Sequence, residues 1–115
     1  IAEIKPPIGS TLKFISAVYS PATGHAGLPA DQPGLQLAVI ENGVVTTYET
    51  PVQDGALDVT AYQVARTLTK TFAVPLSIEL GKRYVVVFTN EHGANALVGL
   101  RLHQPAGWTA DVSEV

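Results

Sequence analysis

Three histidines, His25, His92 and His103, are the chain's only imidazoles, and with no cysteine they are its only nitrogen or sulfur ligands of the usual kind. None stands in an i, i+4 helical pair or another dense ligand spacing. His92 and His103 flank one expected hairpin and could approach across it, with Glu91 as a third ligand. The plainer reading, two solvated imidazoles at loop ends, is adopted, and neither a metal nor another cofactor is expected.

Hydrolytic chemistry needs a nucleophile, a base and a group that orients the base. Ser10, Ser16, Ser20, Ser77 and Ser113 are present, but none lies in a Gly-x-Ser-x-Gly elbow. His25 and Asp31 merely share a long loop. Carboxylates for glycoside hydrolysis would come from Asp54, Asp58, Glu79 or Glu91, and no spacing sets any two of them face to face. Asp54 and Asp58 bracket Gly55, yet a calcium loop needs several more oxygen ligands at set positions, so the segment reads as a polar turn. Phosphate-cradling glycine loops are absent. The chain is not expected to be an enzyme, and no catalytic residue is assigned.

Aromatic side chains offer a different chemistry, because a sugar ring stacks on an exposed π face while polar neighbours hold its hydroxyls. Trp108, after Pro105-Ala106-Gly107, leads this set, with Tyr62 and Tyr48 behind it. The polar tip Asn90, Glu91 and His92 completes the candidate ligand-binding residues. The competing role for Trp108 is core packing or anchoring a protein neighbour. Phe14, Phe72, Tyr84 and Phe88 read as core.

These residues must be held by a fold, and composition bounds it. The chain has 115 residues with Lys+Arg 7 and Asp+Glu 10, a net charge of −3. Such a balance excludes a strongly basic nucleic-acid binder. Lys82-Arg83 is the one basic pair, and it reads as a solvated corner. Hydrophobic residues make up 46% and charged residues 15%, the reverse of a disordered composition. No apolar run is long enough for a membrane span, so no membrane insertion is expected. The first residues, Ile1 to Pro7, lack the pattern of a signal peptide. A first residue of Ile and the absence of Met are taken to mean a processed product or an excised piece.

Alternating apolar residues predict strands throughout. Thr11–Tyr19 sets Leu12, Phe14 and Val18 on one face. Leu35–Glu41 and Val44–Thr50 flank Asn42-Gly43, the strongest short hairpin signal, because both central residues of a type I′ turn need positive φ. Pro51 and Gln53-Asp54-Gly55 punctuate the chain, and 56–59 reads as a short strand. Thr67–Val74 aligns Leu68, Phe72 and Val74; Pro75 marks an edge or a bend. Leu76, Ile78 and Leu80 alternate before a turn at Gly81-Lys82. Arg83–Thr89 is the most apolar strand and is expected at the centre of a sheet. Segments 96–103 and 108–115 supply the last two strands. The prediction is a single all-β domain over 1–115: an antiparallel two-sheet β-sandwich, jelly-roll-like, with about eight short strands. Residues 1–10 form an extended arm, and 20–34 a long Pro/Gly-rich loop of the length that is usually functional or mobile.

The early strand, the Gly/Pro-rich loop, the hairpin Leu35–Val44 and the late block Lys70–Phe88, with its Leu80-Gly81-Lys82-Arg83-Tyr84 corner, resemble the jelly-roll modules of phage tail, fibre and capsid-decoration proteins and of some bacterial surface proteins. That resemblance implies a structural or adhesive job in a virion, a fibre or at a cell surface, with other protein subunits or a cell-surface glycan as partners and a homo-oligomer, such as a trimer, as the working form. Val44, Tyr48, Ile15 and Val115 are the expected assembly face. The alternative is a carbohydrate-binding module appended to a hydrolase.

Overall fold

The computed structural model describes residues 1–19, 33–54, 65–89, 100–102 and 109–112. Every element in them is a β-strand: β1 (Ala2–Lys5), β2 (Thr11–Tyr19), β3 (Gly34–Glu41), β4 (Val44–Gln53), β5 (Arg66–Ser77), β6 (Arg83–Thr89), β7 (Leu100–Leu102) and β8 (Thr109–Val112). They form two antiparallel sheets, a larger one in the order β4-β3-β6-β1-β8 and a smaller one in the order β5-β2-β7. The all-β, two-sheet expectation holds. The segments 20–32, 55–64, 90–99, 103–108 and 113–115 lie outside the described residues, and with them the expected strand at 56–59 and most of the long loop.

Periodicity explains the layers. β6 is the middle strand of the larger sheet, as its run of valines suggests. Tyr84 and Val86 face the core and are buried, whereas Val85 and Val87 on the opposite face are half-buried. Leu35 and Leu37 from β3, Ile4 from β1, Leu12, Ile15, Ala17 and Tyr19 from β2, and Leu68 and Phe72 from β5 complete the core with Ile78. The chain between β3 and β4 turns at Asn42 (φ 50) and Gly43 (φ 77), the paired positive angles of the expected type I′ hairpin. At the corner before β6, Gly81 takes φ 89 and the buried Tyr84 hydroxyl accepts the Glu79 N–H at 2.9 Å.

Several expectations are corrected, and irregular ladders account for most of them. Between Leu12 and Phe14 on β2 the partner on β5 jumps from Leu76 to Thr71, so β5 carries a wide bulge. β2 loses its own period at the same point, its buried Leu12 and Ile15 standing three residues apart: Phe14, expected in the core, is 40% exposed, while Ile15, expected on an outer assembly face, is 5% exposed in the core. Val74 lies within the bulge and faces solvent instead of joining Leu68 and Phe72. Leu80 also points outward, because β5 ends at Ser77 and the corner follows. β4 does not stop at Pro51 but bulges there, its partner on Leu35 and Leu37 jumping from Val52 to Tyr48. A proline is tolerated because β4 is an edge strand. Residues 1–10, read as an extended arm, do contain extended chain, but β1 is inserted between β6 and β8.

The hairpin supplies a direct check. Gly43→Val forces a β-branched side chain into left-handed backbone and is expected to cost about 1–2 kcal/mol. Urea unfolding should show an earlier midpoint, and an unchanged midpoint would count against the turn geometry.

Candidate functional site

Strand direction sorts the molecule into two ends. Pairing of Gly34 with both Gln53 and Thr89, and of Tyr19 with both Arg66 and Leu100, gathers six strand termini at one end. The segments 20–32, 55–64 and 90–99 depart from these termini. The opposite end carries the Asn42-Gly43 turn and the Leu80-Gly81 corner.

Asp54, just beyond β4, is the buried charge at the first end, with 7% of its surface exposed. The Arg66 guanidinium grips it in two places, Nε to Oδ2 at 2.6 Å and a terminal nitrogen to Oδ1 at 2.9 Å. The Tyr19 hydroxyl donates to Oδ2 as well. The Asp54 N–H donates to the Pro33 carbonyl at 2.9 Å. Burial, and then the neighbouring Asp54 carboxylate, push the Tyr19 phenol far above its ordinary range, so it stays protonated as a donor. Hydrogen bonding to Asp54 likewise holds Arg66 charged. This triad pins strand ends.

A second polar cluster joins the two sheets at their bulges. Glu49 adopts φ 61 on β4 and turns its carboxylate toward β5, where it accepts the N–H groups of Ala73 at 2.9 Å and Val74 at 3.0 Å. Lys70 Nζ stands 3.6 Å away. The backbone donors, aided by Lys70, hold the Glu49 carboxyl below the usual carboxylate range. Tyr48 completes the clasp: its hydroxyl donates to the Val74 carbonyl at 2.6 Å and its ring meets Phe72 edge-on, centroids 5.1 Å apart.

Tyr48 is therefore the one described member of the sequence-derived ligand set, and its ring and hydroxyl are engaged inside the molecule. Trp108, Tyr62, Asn90, Glu91 and His92 lie outside the described residues. So do His25, His103, Asp31, Asp58 and Val115. Among the described residues no three His, Cys, Asp or Glu side chains gather where a metal could sit, and no helix is long and apolar enough to cross a membrane.

What the described surface does offer is apolar area at the turn end. Val44 is 64% exposed, Val45 63%, Ile8 64% and Leu80 82%. Lys82 lies among them, ion-paired with Glu79 at 2.8 Å and Glu41 at 3.8 Å. Ile8 and Leu80 flank a groove of about 270 Å³ floored by Ile4, Ile78 and Tyr84. On the outer face of the larger sheet the register continues the apolar surface from Val45 through Ile40 toward Ala38 and Val85. The bidentate Arg83–Glu3 pair, at 2.9 and 3.0 Å, borders it.

Sequence reasoning weighed Asp54 only as a glycosidase carboxylate or a calcium ligand, never as a structural anchor, and passed over Glu49. Asp54 before a glycine reads as a turn residue, and only an arginine at the next strand start hints at its partner. Glu49 gives one signal, a carboxylate two residues before a proline in a strand, where a bulge is the natural outcome.

No family model, curated protein or solved structure matches the chain.

Two measurements test the polar clusters. Arg66→Met leaves a buried carboxylate without its cation and is expected to cost about 3 kcal/mol in urea unfolding. Tyr19→Phe removes one hydrogen bond to the same charge and should cost about 1.5–2 kcal/mol. Equal, negligible losses would contradict the pinning role. Because the folded Glu49 carboxyl titrates lower than it does unfolded, its contribution is present above the ordinary carboxylate range and disappears as pH falls through the folded value. Glu49→Gln should thus flatten the acid limb of the stability profile; an unchanged limb would deny the clasp that role.

Proposed function

We propose that the chain is a non-catalytic structural or adhesive β-sandwich module that works within a larger assembly, of the virion, fibre or cell-surface kind, and associates with further protein subunits. The observation that carries the reading is the concentration of Val44, Val45, Ile8 and Leu80 at one end, each more than three-fifths exposed. Scattered exposed apolar residues are ordinary, whereas large ones gathered at one end mark an interaction site. The Tyr19–Asp54–Arg66 triad, engaged in holding strand ends together, supports a structural role.

The jelly-roll connection is part of the same proposal. The pairs β1–β8, β2–β7 and β3–β6 nest inside one another, with β4 and β5 innermost and clasped at their bulges. Such nesting is what results when a long strand hairpin is rolled on itself, and it favours a jelly roll over other sandwiches.

Light scattering across a wide concentration range tests the function. The solution mass is expected to rise above the single-chain 12.1 kDa, and the double substitution Val45→Lys with Leu80→Lys should return it to that value without altering the circular dichroism spectrum. A wild-type chain that stays monomeric to the highest soluble concentration would overturn the reading.

A further inference from the structure

The edge of β4 has the properties of a pairing surface. β4 ends the larger sheet, and among the described residues only β3 pairs with it. Glu41 and Val44 close a two-residue hairpin, so they form a hydrogen-bonded pair, and the alternation of an antiparallel ladder then fixes every later position. The N–H and C=O groups of Val44, Thr46 and Tyr48 point toward β3, while those of Val45 and Thr47 point away from it, to the open edge.

Natural sheets protect such edges with charges, prolines, bulges or covering segments. Val44-Val45-Thr46-Thr47-Tyr48 has no charge, no proline and no bulge, and Val44 to Thr47 are exposed. The contrast with β5, the edge of the smaller sheet, is plain: it carries Arg66 and Lys70, is broken by Pro75 and bulges toward β4. Protection on β4 begins only at Glu49, whose φ of 61 and the following Pro51 end the regular strand. The Asn42-Gly43 turn ends it on the other side.

We infer that the edge Val44–Tyr48 pairs antiparallel with the same edge of a second copy, extending the larger sheet across a two-fold axis. This rests on the reading of the domain as an assembly module and names the partner and the contact. With both ends of the open edge fixed, one register uses all of it: Thr46 lies opposite Thr46 of the second copy, and Val45 lies opposite Thr47. In that register each copy's outward N–H and C=O groups at Val45 and Thr47 exchange hydrogen bonds with those of the other. No like charges oppose one another, because Glu49 is turned inward onto β5 and Glu41 toward Lys82. The outer faces of the two larger sheets join on the same side, so the row Ile40–Val45 of one copy runs on into Thr47 and Ala38 of the other.

The register makes a specific test, because substitutions at Thr46 face themselves across the axis. Light scattering on the full chain is compared for the wild type, Thr46→Lys, Thr46→Glu and an equimolar mixture of the two variants, with circular dichroism confirming that each folds. The wild-type mass is expected to climb from 12.1 kDa toward twice that value with concentration. Each variant alone should stay near the single-chain mass through like-charge opposition, and the mixture should recover the dimer. Amide exchange at Val45 and Thr47 of the wild type should slow as concentration rises, a readout independent of the substitutions. Variants that associate as the wild type does would overturn edge pairing while leaving assembly through another surface. Loss in both variants without recovery in the mixture would overturn the two-fold register. A wild type that stays at single-chain mass with unchanged exchange overturns both the edge and the assembly reading.

Discussion

A carboxylate out of water has to be met by donors on every side, and Asp54 is where this chain accepts that demand. Its donors come from β2 through Tyr19 and from β5 through Arg66, while its own backbone is tied to the residue preceding β3. One side chain thereby sets how the ends of β2, β4 and β5 approach one another, and β3 follows through the Asp54 N–H. Hydrophobic packing between two sheets is non-directional and would allow them to slide or rotate by small amounts. The planar fork of a guanidinium on a carboxylate does not. Tyr19 belongs to both regimes, since its ring packs against Phe88 in the core, centroids 5.1 Å apart, while its hydroxyl joins the polar cluster.

The clasp at Glu49 does the corresponding job part-way along the sandwich. Two bulges, one in an edge strand of each sheet, give up regular ladder bonds, and the freed N–H groups of Ala73 and Val74 are satisfied by a carboxylate from the opposite sheet. The irregularities therefore complement each other. They also divide β4 into two parts: Tyr48 and Glu49 are engaged with β5, and Val44 to Thr47 before them are exposed.

Much of the architecture is legible in the sequence where local chemistry decides the outcome. Asn42-Gly43 dictates positive φ, the valines of β6 suit a central strand, and Gly81 with Tyr84 builds a corner whose hydrogen bond is local. Legibility fails where a partner distant in sequence decides. The burial of Ile15 instead of Phe14 goes with a break in the β2–β5 ladder, whose other strand lies more than fifty residues away, as the pairing of Ile15 with Lys70 makes plain. The outward turn of Leu80 depends on where β5 ends. Asp54 and Glu49 look like solvent-facing turn or strand residues until Arg66 and the bulged backbone are brought beside them. Of the sugar-stacking residues read from the sequence, Tyr48 alone is described, and a period-two pattern could not foretell that its hydroxyl would be taken by the Val74 carbonyl.

The position of β1 carries a consequence for how the chain acquires its fold. Ala2 pairs with Val86 on one side and with Val112 on the other, so a strand near the start of the chain is completed only by strands near its end. Loop closure over such separations must be made before any of these contacts contribute, which places the domain among slow, high-contact-order folders. While β1 waits for β6 and β8 to be synthesised, both of its own edges are open, and the uncharged edge of β4 joins them once that strand is made. The late strands close the edges of β1, whereas among the described residues that of β4 stays open in the finished sheet.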